Sequence, residues 1–480
     1  MSSTPLDNYT ELISRVMTIE DITWGDPKIT YWNNPEIGYI VRYRGTLLQD
    51  EANAKNDLSR WLRPQNISPI FHTENGRLTI YLVGDPLTTQ VAQILNIQET
   101  HWADAQALHI VRFSGHLRMV STEAYDKIAE AMAPHEITPI FRNEQGQHAV
   151  ILLKGINRPT QANPWVNLAM FLLTLFSVAL VGALNVYDGP ADSFIQLYTG
   201  ALSRIWTGWP FAASLLVILL AHEFGHYIAG RLHKTPVTLP YFLPLPVPPF
   251  GTLGAFIQLK SAPKNKRVLL DIGVAGPLAG FIIAIPILLL GLSLSHVEPL
   301  PRFLTTGEGF TLEGNSLIYL LAKYIVFGQW LPAPDSYGMT HPFLYWLQFF
   351  FTGRPFPFGG QDVLIHPVAL AGWGGLLVTA LNLIPAGQLD GGHLSYVLFG
   401  RGARRFLPYI LVGLFVLGFF WQGWWLWALI ISFLGRTYAE PLDQITPLDP
   451  RRKLIAILGL IIFILTFTPI PLQAFFGPLV

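Results

Sequence analysis

Apolar segments long enough to cross a lipid bilayer dominate this chain after about residue 160. Hydrophobic residues make up 51% of the sequence and charged residues only 13%, which is typical of a membrane protein. Residues 1–160 nevertheless contain 14 of the 31 Lys and Arg residues and 18 of the 31 Asp and Glu residues. The sequence therefore predicts two domains: residues 1–160 are soluble, and residues 161–480 are a multi-pass α-helical membrane protein.

The apolar segments predict about six to eight membrane crossings. Residues 406–434 carry no charge over 29 positions, which is longer than one crossing needs, so a helical hairpin with a turn at Gln422-Gly423 is expected there. Residues 317–331 and 343–351 are short or interrupted and are predicted to be re-entrant or interfacial helices. The clear single crossings are residues 168–186, 210–229, 269–294, 364–384 and 454–469.

The soluble segment contains an internal duplication with an offset of about 70 residues. Each copy, about residues 37–84 and 107–154, predicts a β-α-β-β unit, and two such units would form one α+β domain with helices on one side of an antiparallel sheet. A sensor, a substrate-gating module and a supporting extension are all compatible with this pattern. The matching residues are Ile40-Val41-Arg42 and Ile110-Val111-Arg112, Gly45 and Gly115, Ile67–Phe71 and Ile137–Phe141, and Gly76 and Gly146.

Three polar residues interrupt the apolar run at residues 210–229. His222 and His226 are four residues apart and so lie on one helix face, with Glu223 beside them. Unpaired polar groups are costly at this depth in a bilayer, so the two imidazoles need a partner. In a His-Glu-x-x-His helix the histidines bind zinc and the glutamate takes a proton from the attacking water. Cysteine is absent, so all zinc ligands must be nitrogen or oxygen atoms.

A catalytic zinc ion has three protein ligands and one open position. Asp390 is the best candidate for the third ligand, because it follows the apolar segment 364–384 and is flanked by Leu389 and by Gly391-Gly392, glycines that allow close approach. Asp271, near the start of the apolar segment 269–294, is a weaker candidate. A helix-capping aspartate is the alternative interpretation of Asp390.

These motifs resemble the site-2 protease family of intramembrane metalloproteases, and most closely its plastid and cyanobacterial branch with a soluble N-terminal extension. The resemblance rests on HEFGH at 222–226, AGPLAG at 275–280 and NLIPAGQLDGGH at 382–393, and it covers roughly residues 168–471. Many family members have asparagine where Gly280 stands, so no polar role is carried over to that position.

The resemblance implies a function for five residues. His222, His226 and Asp390 would hold one Zn²⁺ ion, Glu223 would act as general base and acid, and Asn382 would steady the substrate carbonyl or oxyanion. The implied partners are transmembrane protein substrates in the lipid bilayer, and nothing in the charge pattern suggests nucleic acid.

A peptide bond inside a membrane helix must be unwound before it can be hydrolysed. The proline-rich residues 236–249 cannot form a helix, and residues 252–259 that follow them predict a short strand. By the resemblance, this segment is a membrane-inserted loop beside the active site. An extended substrate could pair with the strand and recover its lost hydrogen bonds.

Two other functional classes compete with a protease. An intramembrane metal-ion or solute transporter could also use a His/Asp site, but it would not need an acid-base group next to the first ligand. An inactive scaffold would not need the complete set of ligands and glutamate.

The distribution of Lys and Arg predicts the orientation in the membrane. The N-terminal sequence has no signal-peptide pattern, so we expect the N-terminus and the active-site opening to be cytoplasmic, in a bacterial cell membrane rather than a plastid membrane. With that orientation, 13 of the 17 Lys and Arg residues after residue 160 lie on the cytoplasmic side. The four on the other side are Arg204, Arg302, Lys323 and Arg354.

Overall fold

The computed structural model describes residues 5–24, 41–62, 67–74, 77–84, 86–102, 109–144, 146–155, 163–190, 192–302 and 309–476. The chain divides into two compact units, with the boundary between residues 156 and 157. Each unit is described separately below.

The first unit contains two four-stranded antiparallel sheets with the same strand order. The first sheet has the order β1-β2-β4-β3 and the second has the order β5-β6-β8-β7. The first half consists of α1 (Pro5–Ser14), β1 (Met17–Trp24), β2 (Val41–Leu47), α2 (Glu51–Leu62), β3 (Ile67–Glu74) and β4 (Arg77–Gly84). The second half consists of α3 (Pro86–Ala92), β5 (Leu95–Trp102), β6 (His109–Leu117), α4 (Ser121–Met132), β7 (Ile137–Glu144) and β8 (Gln147–Lys154).

A glycine opposite a β-bulge occurs at the same place in both sheets. The β1–β2 pairing shifts register just after Ile19, opposite Gly45, and the β5–β6 pairing shifts just after Ile97, opposite Gly115. A Cβ atom at either glycine would overlap a carbonyl oxygen of the neighbouring strand. The close backbone approach therefore requires glycine at both positions.

Both halves contain the predicted β-α-β-β succession, as β2-α2-β3-β4 and as β6-α4-β7-β8, but each half is larger than predicted. Each half has an additional helix and strand at its start, and the halves form two separate sheets instead of the single sheet expected. Among the described strands, β1 and β5 each pair along one edge only, and most of their described side chains are at least partly exposed. They therefore lack the apolar alternation that predicts a strand. Corresponding residues of β1 and β5 are 78 positions apart, so a comparison of the sequence with itself at an offset of 70 residues does not align them. Ile40, Gly76 and the start of the first predicted copy lie outside the described residues.

The second unit consists mainly of helices. Its helices are α5 (Pro164–Leu184), α6 (Phe194–Ser203), α7 (Trp209–Leu232), α8 (Lys266–Ser293), α9 (Leu317–Phe327), α10 (Pro342–Thr352), α11 (Pro367–Asn382), α12 (Asp390–Phe399), α13 (Leu407–Leu417), α14 (Gly423–Leu434) and α15 (Pro450–Thr466). Its strands form three two-stranded antiparallel sheets, which pair β9 (Tyr241–Pro244) with β10 (Thr252–Phe256), β11 (His296–Pro299) with β13 (Gln361–Leu364), and β12 (Gly309–Glu313) with β14 (Leu472–Phe476).

Three helices in the described part of the chain are long and apolar enough to cross a bilayer, compared with the six to eight crossings expected. They are Pro164–Leu184, Ile205–Leu232 and Lys266–Ser293. Proline and glycine shorten the other apolar segments: the predicted crossing 364–384 becomes the 16-residue α11, which begins at Pro367 and ends before Pro385. Residues 406–434 form α13 and α14, separated by a break at residues 418–422 that adjoins the predicted turn.

Glycines allow α7, α8 and α11 to pack closely. A Cβ atom at Gly225 of α7 would press on the Ala275 carbonyl of α8, and one at Gly372 of α11 would press on Leu288 of α8. Close helix packing at small residues of this kind is common in membrane bundles.

Helices α8 and α15 run in the same direction through the second unit. Near their starts, Arg452 of α15 donates hydrogen bonds to both carboxylate oxygens of Asp271 on α8, at 2.6 to 3.1 Å. Beyond their ends, β14 pairs with β12. We call the side with the starts of these helices the basic face and the side with β12 and β14 the distal face.

Candidate metal centre

Helices α7 and α12 bring three ligand atoms together inside the second unit. The Nε2 atoms of His222 and His226 are 3.3 Å apart, and Oδ2 of Asp390 lies 3.3 Å from each of them. Ligands about 2.0 to 2.1 Å from a tetrahedral zinc ion lie roughly 3.3 Å apart. The donor set and its spacing therefore fit zinc, and this is the only such His/Asp/Glu group found among the described residues.

A hydrogen bond sets the orientation of His226. Its Nδ1 atom lies 2.7 Å from the carbonyl oxygen of Ile272 on α8 and can only donate to it. The proton is therefore on Nδ1, and the Nε2 lone pair is free to bind a metal. Gly276 faces the same ring, and a Cβ atom there would overlap Nε2. A Cβ atom at Gly280 would lie 3.1 Å from Nδ1 of His222, so these two glycines of the AGPLAG motif make room for the two imidazoles.

The turn at residues 383–389 returns the chain from α11 to the two histidines. Gly391 and Gly392 lie against backbone carbonyls of this turn, where a Cβ atom would overlap them, and Gly387 has a positive φ of 50°. The N-cap of α12 is Leu389, without a side-chain capping bond, and Asp390 is the first helical residue. The geometry thus supports a metal ligand rather than the helix cap considered as the alternative.

Glu223 lies beside the ligands with an unused acceptor atom. The residue is only 3% exposed, and its Oε2 atom is buried without a hydrogen-bond partner among the described residues. It lines a cavity of about 170 Å³ together with His222, His226 and Asp390. A buried carboxylate oxygen with no partner needs a water or ligand donor, and this cavity is large enough to supply one.

Three further residues that could bind a metal or substrate have different surroundings. Asn382 lines the same cavity, with Nδ2 3.4 Å from Nε2 of His222. His393 also lines the cavity, but it is not part of the ligand group. His366 is the N-cap of α11 and accepts a hydrogen bond from the backbone of Val368.

Asp271, the weaker candidate for the third ligand, is used elsewhere. Arg452 binds both of its oxygens, and Nε2 of His233 at the end of α7 lies 3.0 Å from Oδ2. This ion-pair network joins α7, α8 and α15 at the basic face.

A short strand borders the metal cavity. The predicted strand at residues 252–259 is observed as β10, followed by an isolated bridge between Leu259 and Val237. Ala255, Phe256 and Ile257 line the cavity. In the β9–β10 sheet, β10 pairs on one side only, and Ile257 lies beyond its last paired residue.

Helix α5 holds the β9–β10 segment in place. The side chain of Asn167 donates to the carbonyls of Leu239 and Pro240 at 3.0 and 2.9 Å, and Ser177 donates to Gly251 at 2.7 Å. These bonds connect α5 to the segment through backbone carbonyl oxygens; the Gly251 carbonyl also accepts a hydrogen bond from the backbone N–H of Leu245 at 3.1 Å. Sequence reasoning did not identify these two polar residues, although both interrupt an otherwise apolar helix.

Comparison with known proteins agrees with this site. Residues 210–417 match the model of peptidase family M50. The chain is 28% identical over 338 residues to "Probable zinc metalloprotease EGY1, chloroplastic" of Arabidopsis thaliana, covering 67% of this chain and 56% of the relative. It is 26% identical over 361 residues to "Probable zinc metalloprotease EGY2, chloroplastic" of Oryza sativa subsp. japonica, covering 72% and 58%.

The matched region thus spans somewhat more than half the length of these relatives. No solved structure matches this chain. The family match begins at the start of α7 and extends through α12 to the end of α13, so it contains all three candidate ligand residues and Glu223. Residues 210–417 therefore correspond to a peptidase family M50 domain, and the chain is a homologue of plastid zinc metalloproteases.

Proposed function

We propose that this protein is an intramembrane zinc metalloprotease that hydrolyses peptide bonds of membrane-embedded helices. The observation that carries the proposal is the convergence of His222, His226 and Asp390 on one point, with the unpartnered carboxylate oxygen of Glu223 in the same buried cavity. This is a complete set of ligands plus one additional acid-base group.

His222, His226 and Asp390 would hold the zinc ion. When bound, zinc supplies Lewis acidity that makes water a nucleophile at neutral pH. Glu223 accepts the proton of the attacking water at its free oxygen and then delivers it to the departing amine. The amide of Asn382 lies beside His222 and can donate to the substrate oxygen as negative charge develops there.

The substrate would reach this centre in an extended conformation. A helical segment must break its own hydrogen bonds before its carbonyl can be attacked, and unpaired backbone groups are costly in a bilayer. The open edge of β10, next to the cavity, offers replacement hydrogen bonds. Membrane-protein helices are accordingly the proposed substrates.

A metal-ion or solute transporter is the competing function for a buried His/Asp site. A transporter needs ligands along a pathway, whereas a buried carboxylate beside three converged ligands suits acid-base chemistry. The position of Glu223 therefore favours hydrolysis.

We propose that the metal centre opens toward the basic face. Its ligands lie near the ends of α7 and α11 and the start of α12, and the ion pairs of Asp271 join α7, α8 and α15 at that face. The Lys and Arg distribution predicted a cytoplasmic face in a bacterial cell membrane. The relatives are named as chloroplastic, which does not support the bacterial assignment and favours a plastid membrane instead. The charge asymmetry is compatible with either.

The direct test uses the purified full chain in liposomes with a model transmembrane helix as substrate. We expect about one zinc ion per chain, and Glu223→Gln should retain it while cleavage falls on the order of 10²-fold or more. Chelation should abolish cleavage in the wild type, and added zinc should restore it. A wild-type chain without bound metal, or a Glu223→Gln chain that cleaves at the normal rate, would disprove the proposal.

A further inference from the structure

A buried cluster of charged residues lies at the distal face, apart from the metal centre. It consists of Glu313 at the end of β12, Tyr319 and Lys323 of α9, and Asp362 of β13, which we call the distal cluster. Lys323 and Tyr319 are 0% exposed, Asp362 is 3% exposed and Glu313 is 7% exposed. Buried ionisable groups are rare and need an explanation.

The contacts within the distal cluster leave its charges incompletely balanced. Nζ of Lys323 lies 3.5 Å from Oδ1 of Asp362 and 4.6 Å from the ring centroid of Tyr319. The hydroxyl of Tyr319 donates to Oε1 of Glu313 at 2.7 Å. Oδ2 of Asp362 and Nζ of Lys323 have no hydrogen-bond partner among the described residues. Two carboxyl groups therefore share a single buried cation.

The surrounding groups favour a proton on Glu313. Burial and the neighbouring carboxylate of Asp362 raise the pKa of Glu313 to about 7, although Lys323 and the Tyr319 hydroxyl oppose this shift. Burial also raises the pKa of Asp362, but its contact with Lys323 opposes the increase. Asp362 is thus the natural partner of Lys323, and Glu313 is the carboxyl group that gains and loses a proton near neutral pH.

The distal cluster joins three elements, β12, α9 and β13, and its two strands pair with further strands. Glu313 ends the strand that pairs with β14, and Asp362 lies in the strand that pairs with β11. The carbonyl of Gly314, next to Glu313, accepts a hydrogen bond from Nε1 of Trp373 on α11 at 2.8 Å. A cavity of about 20 Å³, enough for one water molecule, adjoins Glu313 and Asn315. The side chains of Lys323, Tyr319 and Asp362 are the charged and titratable groups that face Glu313.

We propose that the distal cluster is a proton-binding switch that holds β12, β13 and α9 together while Glu313 is protonated and loosens them when that proton is lost. With the proton bound, Lys323 and Asp362 form a neutral pair. Without it, the buried cluster carries a net charge of minus one, which the low-dielectric interior disfavours.

The direction of the pH effect follows from the raised pKa. An acid whose pKa is higher in the closed state than in the open state does not destabilise the closed state below its ordinary pKa. The closed state loses stability as the pH rises from that ordinary value toward and through 7. Between pH 6 and pH 8 the opening equilibrium should increase about 10-fold. Acidification on the distal side would therefore tighten this face, and a rise in pH would loosen it.

The test measures amide hydrogen exchange of the full chain in nanodiscs between pH 6 and pH 8, corrected for the intrinsic pH dependence of exchange. In the wild type, we expect the opening equilibrium constant of residues 309–313 and 361–364 to be about 10-fold larger at pH 8 than at pH 6. Glu313→Gln should remain protected at both pH values. Asp335→Asn, which removes an exposed carboxylate from the distal face, is the matched control and should behave like the wild type. This readout needs neither zinc nor substrate.

Two further variants shift the midpoint in opposite directions. Asp362→Asn leaves Glu313 as the only anion beside Lys323, so the midpoint should move to lower pH. Tyr319→Phe removes a hydrogen bond that stabilises the ionised Glu313, so the midpoint should rise. Exchange that is independent of pH in the wild type, or unchanged pH dependence in Glu313→Gln, would overturn the switch. If Glu313→Gln does not fold, shifts of the two midpoints in the same direction would overturn it as well.

Discussion

Single residues determine whether the three ligand atoms of the metal centre can meet. The two histidines come from one helix turn, and their spacing follows directly from the sequence. The aspartate comes from a different helix, so its arrival depends on the glycine-rich turn between α11 and α12. Metal binding should therefore depend on the ligand residues and also on small residues that do not contact the metal.

Asp390 should be required for zinc binding as well as for catalysis. Asp390→Ala removes one of three ligands and leaves the cation with less compensating charge, so we expect zinc affinity to fall on the order of 10²-fold or more. Asp271→Ala is the matched control, because this carboxylate pairs with Arg452 and His233 instead. Competition with a zinc chelator measures the affinity of both variants. Equal zinc affinities for Asp390→Ala and the wild type would remove Asp390 from the ligand set.

Gly276 should be as sensitive to substitution as a ligand. In Gly276→Ala the new methyl group overlaps the ring of His226, so either the imidazole or α8 must move. We expect zinc affinity to fall at least 10-fold, since even indirect perturbation of a ligand costs roughly 10- to 100-fold.

The matched control for this glycine is Gly413→Ala in α13. A Cβ atom at Gly413 has nothing within 4 Å, so zinc binding should be unchanged and the helix slightly more stable. Chelator competition and thermal unfolding of both variants would show the contrast. If Gly276→Ala bound zinc as tightly as the wild type, the observed packing of α8 against His226 would be wrong.

The sequence predicted the ligand types but not the contacts that place them. The HEFGH spacing and the apolar context pointed to His222 and His226 because a helix has a fixed period. It could not show that Ile272 would orient His226, or that Asp271 would be occupied by Arg452, a residue 181 positions away. Such partners depend on how the helices pack against one another. The residue pattern within a single segment does not show which other segment it will contact.

Among the secondary-structure elements, β10 has the clearest testable role. Its ladder ends at Phe256, and Ile257 continues along the cavity. Ile257→Pro removes a backbone donor that an extended substrate could use, so we expect cleavage of a transmembrane helix to slow about 10-fold or more with zinc retained.

The control at this position is Ile257→Ala, which shortens the side chain but keeps the backbone N–H. Cleavage of a short, soluble, already extended peptide provides a second comparison. If β10 acts as a pairing edge, proline should impair the membrane substrate more than alanine does. Equal rates for the two variants on the transmembrane helix would exclude backbone pairing at Ile257.

The long apolar helices were predictable, whereas the short strands β11 to β14 were not. α5, α7 and α8 lie within about five residues of the predicted crossings at residues 168–186, 210–229 and 269–294, because uninterrupted apolar sequence leaves few alternatives in a bilayer. The strands β11, β13 and β14 have four or five residues each, too few to show a period. The distal cluster depends on β12 and β13, which have five and four residues, so the sequence pattern did not bring its charged residues together.

At the scale of the whole molecule, the two units differ in the forces that stabilise them. The first unit has two sheets with apolar cores, such as Tyr43, Leu58 and Ile80 in the first half, and it can satisfy its backbone in water. The second unit exposes apolar helix faces, including Leu172 of α5, Ile282 of α8 and Val412 of α13, which suit a lipid environment. All three proposed ligands and Glu223 belong to the second unit.

The first unit should therefore be dispensable for metal binding but not for substrate selection. We expect residues 157–480 to bind zinc with wild-type stoichiometry, because the ligands, their tautomer-setting partner and the supporting glycines all lie within that range. We also expect residues 1–156 alone to give a dispersed amide NMR spectrum, since each sheet has its own buried core.

The truncated protease, residues 157–480, should still cleave a generic transmembrane helix, but the relative rates on a panel of membrane proteins should change. Loss of zinc from residues 157–480 would show that the units are not separable, and an unchanged ranking of substrates would exclude a selecting role for the duplicated sheets.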